Sequence, residues 1–139
     1  MTTITQKALC HASLNALHHH AGQDGQPPVC FALVDAQGDL LCFERMDGAP
    51  VRTINIAIAK AYTAARMGAS TRQFRHRLQQ ENLQCSEFMD SALCALPGGV
   101  ILPLPNHRFA AIGVSGRALD DDETLALTLV KHLQAHFSK

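Results

Sequence analysis

The chain has 139 residues, and twelve basic and twelve acidic side chains give it a formal net charge of zero when histidine is neutral. A chain of this length is predicted to form one domain, residues 1–139, and its charge favours neither nucleic acid nor an anionic membrane as a partner. The N-terminus carries no cationic segment followed by an apolar stretch, and no apolar run approaches the ~18 residues that span a bilayer. We therefore expect a cytoplasmic protein.

The first predicted element is a helix over residues 4–20, because apolar residues recur there at spacings of three and four before Ala21-Gly22. Its other face carries His11, Leu14 and His18. A stretch rich in glycine and proline, GQDGQPP, follows and predicts a loop.

The next segments predict an antiparallel hairpin, with strands over residues 29–36 and 39–46 and a tight turn at Gln37-Gly38. Symmetric pairing places Val34 opposite Leu41 and Ala32 opposite Phe43. Both faces of this hairpin are largely apolar near the turn. We therefore expect the sheet to be covered on both sides.

An alanine-rich segment, residues 51–68, predicts a buried helix that lets the sheet or another subunit approach closely. Lys60, in its middle, is either a surface lysine or a pocket cation, and the sequence favours the surface. A second helix, residues 71–83, is capped by Ser70 or Thr71 and is expected to face solvent.

The last third of the chain predicts a short helix over 87–96 and a second hairpin with strands over 100–104 and 108–115. Pro103 points to an edge strand. A final helix begins with four acidic residues at 120–123, where its dipole favours negative charge. The order of elements predicts an α+β domain, an antiparallel sheet with helices packed on it.

Most familiar chemical motifs are absent or weak. Neither G-x-G-x-x-G nor the P-loop pattern occurs, and the carboxylates of residues 35, 39, 44 and 47 lie mostly at turns, where they bond the backbone. The five cysteines are odd in number and form no C-x-x-C pair, so we interpret them as reduced, mostly buried thiols. These are Cys10, Cys30, Cys42, Cys85 and Cys94.

Histidine is the unusual component, with eight in the chain and three in a row at 18–20. Successive helical residues point about 100° apart, so His18, His19 and His20 cannot jointly chelate one metal ion. One interpretation is a favourable interaction with the C-terminal end of the helix dipole. The other is that the stripe of His11, Leu14 and His18 lines an intersubunit pocket and offers an axial ligand to haem iron.

Four stretches and one turn carry a family pattern: VDAQGDLLCFERMDGAP, IAIAKAYTAARMGAST, the Gly98-Gly99 turn, AAIGVSG and DETLA. In this order they cover most of the chain, and together they resemble the GlcG/HbpS family, which includes the C-terminal domain of PduO-type cobalamin adenosyltransferases. The chain is also similar to small stand-alone members that accompany cobalamin-dependent diol or glycerol dehydratases. It departs from the pattern in the apolar VILPLPNHRF segment and at Arg117.

The resemblance implies a profilin-like α+β fold, assembly into dimers and commonly octamers, and binding of haem, with a corrinoid as the alternative. In the PduO-type domain the haem ligand is a histidine on the N-terminal helix, which His18 matches best, with His11, His19 and His20 as alternatives. Arg45 and Asp47 lie in the motif that links the hairpin to the alanine-rich helix. A pocket role for them, and for Lys60, is a hypothesis beside a structural one.

Three functions follow from this resemblance. The first is a homo-oligomeric binding protein for haem or a related tetrapyrrole, with His18 as the axial ligand. The second is an enzyme that degrades haem. The third is an accessory or assembly protein of a dehydratase system that has no ligand of its own.

Overall fold

The computed structural model describes residues 3–138 and places a four-stranded antiparallel sheet between helices. The elements are α1 (Gln6–Ala21), β1 (Cys30–Val34), β2 (Leu40–Arg45), α2 (Arg52–Met67), α3 (Thr71–Glu81), β3 (Gly99–Leu104), β4 (Arg108–Ser115) and α4 (Leu119–Phe137). The strand order is β2-β1-β4-β3. The predicted α+β class is confirmed.

Each face of the sheet has its own apolar cluster. One cluster joins the sheet to α1 and α4 and includes Leu17, Phe31 and Leu129. The other joins it to α2 through small side chains such as Ala57 and Ala61. The sheet is therefore covered on both sides, as its two apolar faces predict.

The alanines of α2 bring that helix against the sheet backbone. A Cβ atom added at Gly113 of β4 would lie 2.1 Å from the carbonyl oxygen of Ala57, and one at Gly99 would lie 2.3 Å from that of Lys60. Contacts this short exclude any side chain at either glycine. The close neighbour of α2 is thus the sheet.

The first hairpin departs from symmetric pairing at one place. Ala32 pairs with Phe43 as expected, but Val34 pairs with Leu40, so the predicted partner Leu41 was wrong. The ladder shifts there because the Asp35 carboxylate accepts hydrogen bonds from two amides of the turn, and an extra residue of β2 is accommodated as a bulge.

Other boundaries confirm or correct the sequence predictions. Pro103 lies on β3, an edge strand, and Ser70 caps α3 in a capping box with Gln73. The predicted helix over 87–96 was wrong, because only a 3₁₀ turn, Cys85–Phe88, forms there. Met89 follows it with a positive φ of 57°, which ends helical geometry.

Candidate functional site

The end of α1 and the end of β2 enclose an open cleft of about 760 Å³, called here the α1–β2 cleft. Most of its walls are polar or charged, and both signs of charge are present. The lining residues are His18, His19, Gly22, Gln23, Glu44, Arg45, Met46 and Asp47.

His18 stands in the last turn of α1, with 63% of its side chain exposed. Its Nε2 atom contacts the Oε2 atom of Glu44 on β2. Glu44 faces α1 because it pairs across the ladder with Phe31, whose side chain belongs to the cluster beneath that helix. The carboxylate therefore orients the imidazole at the rim of the cleft.

The far wall of the cleft is a tight turn of residues 46–49. The amide of Ala49 donates to the carbonyl of Met46 over 3.0 Å, and Gly48 has a φ of 88°, which a type II turn requires at this position. Arg45 secures the turn, because its Nε donates to the carbonyl of Ala49 over 3.0 Å. The predicted Asp47-Gly48 turn is confirmed.

Arg117 fixes the loop that follows α1, whose first residues, Gly22 and Gln23, line the cleft. Its guanidinium donates to the carbonyl of Pro27 over 2.8 Å and pairs with the Asp24 carboxylate over 2.9 Å. Burial raises the pKa of Asp24, but hydrogen bonds from the Gln26 amide and from Arg117 outweigh burial and leave that pKa below its ordinary value. This clamp joins the loop to the end of β4.

The structure brings three of the predicted site residues together and leaves two apart. His18, Arg45 and Asp47 line the α1–β2 cleft. His11 is exposed on α1 and lies outside the lining. Lys60 is on α2, on the opposite face of the sheet from α1, and lines a separate, smaller cavity of about 160 Å³.

The expectation that Lys60 lies on the surface was wrong. Its side chain is 0% exposed, and Nζ donates to Oδ2 of Asp122 over 3.1 Å and to the carbonyl of Val114 over 2.8 Å. Lysine side chains usually reach solvent, but here the ammonium pairs with a buried carboxylate of α4, beyond the sheet. Burial raises the pKa of Asp122, while the charge of Lys60 opposes that rise.

His19 and His20, the other two histidines of the run, contact the imidazole of His132, which the sequence did not predict. Nε2 of His20 lies 2.9 Å from Nδ1 of His132 on α4, and the ring of His19 packs against both. Burial lowers the pKa of His20, and the charges of His132 and His19 lower it further. His20 therefore joins α1 to α4 and does not line the α1–β2 cleft.

Two features are absent from the described residues, 3–138. No three histidine, cysteine, aspartate or glutamate side chains in that range are grouped so that they could hold a metal ion. Within the same range, no helix is long and apolar enough to cross a membrane.

Comparison with known proteins assigns the chain to a family. The model of the family described as "Haem degrading protein HbpS-like" matches residues 6–131. This match covers most of the chain, so the protein belongs to the HbpS-like family. The resemblance to GlcG/HbpS proteins is confirmed.

Individual relatives agree with this assignment. An uncharacterized 15.0 kDa protein of the dhaT-dhaS intergenic region of Citrobacter freundii is 32% identical over 105 residues, which are 73% of this chain and 72% of the relative. A double mutant of Streptomyces reticuli HbpS has a TM-score of 0.79 and 30% identity, over 96% of this chain and 88% of its own. A complex of PduOC with haem has a TM-score of 0.77 and 24% identity, over 88% and 89% of the two chains.

Two residues were not recognised from the sequence as partners of other side chains. Glu44 contacts His18, and Asp24 pairs with Arg117. The role of Glu44 could have been predicted. Strand alternation places it on the same face as Cys42, and a charged side chain on an apolar face is expected to have a polar or charged partner. The role of Asp24 could not, because it lies 93 positions from Arg117 and only the fold brings the two together.

Proposed function

We propose that this protein binds haem as a homo-oligomer, with His18 as the axial ligand of the iron. The observation that carries the proposal is the exposed imidazole of His18, held by Glu44 at the rim of the α1–β2 cleft. Imidazole is the commonest protein ligand of haem iron.

The relatives support haem as the ligand class. The family description names haem degradation, HbpS-like structures share the fold, and PduOC was solved with haem bound. These descriptions apply to the relatives themselves. They make haem the first ligand to test on this chain.

The donor set of the cleft suits haem better than a bare ion. A porphyrin supplies four nitrogen ligands, so one imidazole is sufficient, whereas a bare ion needs a cluster that residues 3–138 do not provide. Arg45 lines the cleft and is exposed, and we propose its guanidinium as the group that would pair with a propionate. When bound, haem would supply a redox-active iron.

The same cleft is too polar to cover both faces of a porphyrin. Met46 is its one apolar side chain, and its sulfur accepts a hydrogen bond from the Val29 amide over 3.5 Å. Burial of a macrocycle requires apolar contact on its faces. We therefore propose that a second copy of the chain completes the site, within an assembly between a dimer and an octamer.

A titration followed by absorbance tests the ligand. Haem is added to the purified protein, and cobalamin is added to a parallel sample. We expect a saturable Soret band at a fixed ratio of haem to protein and no saturable change with cobalamin. Saturable binding of cobalamin alone would overturn haem in favour of a corrinoid.

A second candidate is haem degradation, which the family description favours. The test follows the bound haem after addition of a reductant in air. Loss of porphyrin absorbance faster than in free haem would identify an enzyme. A stable spectrum would leave a binding protein.

A role as accessory to diol or glycerol metabolism is a finer proposal. It is supported by the Citrobacter freundii relative, whose name places it in the dhaT-dhaS region. Affinity purification from cells that express a cobalamin-dependent dehydratase tests it. Recovery of dehydratase subunits with the chain is expected, and their absence would contradict the role.

A further inference from the structure

Two cysteines that the proposed haem site does not use meet between α1 and β2. We propose that Cys10 and Cys42 are an oxidation site, at which hydrogen peroxide converts the two thiols into a reversible disulfide that joins α1 to the edge strand β2. The inference does not depend on haem, so it and the proposed function can fail separately.

Strand register places Cys42 on the face of β2 that α1 covers. Cys42 pairs with Leu33 across the ladder, and Leu33 belongs to the apolar cluster beneath α1 and α4. Residues opposite each other in a ladder direct their side chains to the same face. The Cys42 thiol therefore points towards α1.

Helix α1 places Cys10 directly above this part of β2. The Cys10 sulfur donates to the carbonyl of Leu41, the neighbour of Cys42 in the chain, over 3.6 Å. Both cysteines are half-buried at the margin of the same apolar cluster. Each thiol is thus close to the other and within reach of a small oxidant.

The environment makes the two thiols unequal. Burial, a hydrogen bond with Cys10 and the charges of Cys10 and Glu44 together raise the pKa of Cys42 to about 12. Cys42 therefore keeps its proton at neutral pH. Because the thiolate is the nucleophile, Cys42 is the poorer nucleophile for the first step, which we assign to the Cys10 sulfur on α1.

The reaction balances with peroxide as the oxidant. The Cys10 thiolate attacks one peroxide oxygen, the O–O bond breaks, and the released hydroxide takes a proton to become water, leaving Cys10 as a sulfenic acid. The Cys42 sulfur then attacks the Cys10 sulfur and displaces hydroxide, which leaves as water with the Cys42 proton. Two thiols are oxidised, and one peroxide is reduced to two waters.

The bond would act on the elements that hold the α1–β2 cleft. Cys10, Leu14 and His18 are spaced by four residues along α1, and Cys42 and Glu44 are spaced by two along β2. They therefore form one seam, with the thiols at one end and the His18–Glu44 pair at the other. A disulfide would fix the seam from the end opposite the cleft.

The test treats the purified wild type with hydrogen peroxide, blocks the remaining thiols with an alkylating agent, and maps the peptides by mass spectrometry without reduction. We expect a peptide pair linked through Cys10 and Cys42 that dithiothreitol separates. The matched control is Cys85→Ser, in which a half-buried thiol elsewhere is removed and the linked pair should persist.

Single variants test the assigned order of oxidation. Cys42→Ser should leave Cys10 as a sulfenic acid that dimedone traps, whereas Cys10→Ser should leave Cys42 unmodified. Free, alkylated Cys10 and Cys42 after peroxide treatment of the wild type would overturn the proposal. So would a disulfide between two chains in place of one within the chain.

Discussion

Lys60 on α2 donates to Asp122 on α4 across the end of the sheet, over 3.1 Å and with both side chains buried. The two helices cover opposite faces of the sheet, so this ion pair joins the two layers of the fold. The carboxylate also accepts from the amide of Arg117 over 2.9 Å, and the ammonium donates to Val114. Each charge is thus compensated in place.

Removal of one partner from this pair should be costly. In Lys60→Met the Asp122 carboxylate stays buried without its cation, and loss of one partner of a buried pair costs roughly 3–5 kcal/mol of unfolding free energy. Urea unfolding at neutral pH measures this loss. Because Lys60 opposes the burial effect, the pKa of Asp122 should rise further in the variant.

The control for this variant is an exposed ion pair of similar length. Arg77 and Glu81 lie 3.1 Å apart on α3, with 53% of each side chain exposed. Arg77→Ala should change the unfolding free energy by less than about 0.5 kcal/mol. An equal loss in the two variants would contradict the structural role of Lys60.

Gly113→Ala tests the contact between α2 and the sheet. Its Cβ would lie 2.1 Å from the backbone oxygen of Ala57, so helix and strand must separate, and we expect a loss of about 2–3 kcal/mol. Gly68→Ala is the comparison, since its Cβ meets nothing within 4 Å and only the φ of 64° opposes it. A smaller loss at Gly113 than at Gly68 would refute the close packing.

Because Tyr62 donates a hydrogen bond to Asp90, the free energy of unfolding should depend on pH in the acid range. The hydroxyl donates over 2.6 Å, and this bond is the main reason that the pKa of Asp90 lies below its ordinary value of 3.8. A carboxyl group whose pKa is lower in the folded than in the unfolded protein stabilises the fold. This stabilisation is complete above the pKa of the unfolded state and is lost as the pH falls through the pKa of the folded state.

Tyr62→Phe removes that hydroxyl and keeps the ring over which Arg66 packs. The wild type should be more stable than the variant at neutral pH, and the difference should shrink as the pH falls below 3.8. Unfolding curves at several pH values measure it. A difference that is independent of pH would show that the Asp90 charge is not involved.

Local patterns predicted much of the fold. The bounds of β4, residues 108–115, follow from an apolar run between the turn at 105–107 and Gly116, and the structure confirms them. The alanines of α2 predicted a close neighbour, either the sheet or another subunit, and the structure shows that the sheet is one. Such features depend on neighbours in the chain, which a sequence displays directly.

The sequence predicted only those parts of the site whose residues are close together in the chain. Arg45 and Asp47 lie two residues apart at the end of β2 and in the turn after it, and His18 lies in one helix. The partner of Lys60, by contrast, lies 62 positions away and that of His20 lies 112 positions away. Helical periodicity places a residue on a face and does not show what that face meets. Partners across the fold therefore had to come from the structure.

The most direct test of the account is a haem titration of the wild type, His18→Ala and His11→Ala, followed at the Soret band. His11 lies two turns earlier on α1 and is exposed outside the cleft, so its variant is a matched control. The account predicts stoichiometric binding by the wild type and His11→Ala, and loss of the saturable band in His18→Ala. Unchanged binding by His18→Ala would contradict the central claim.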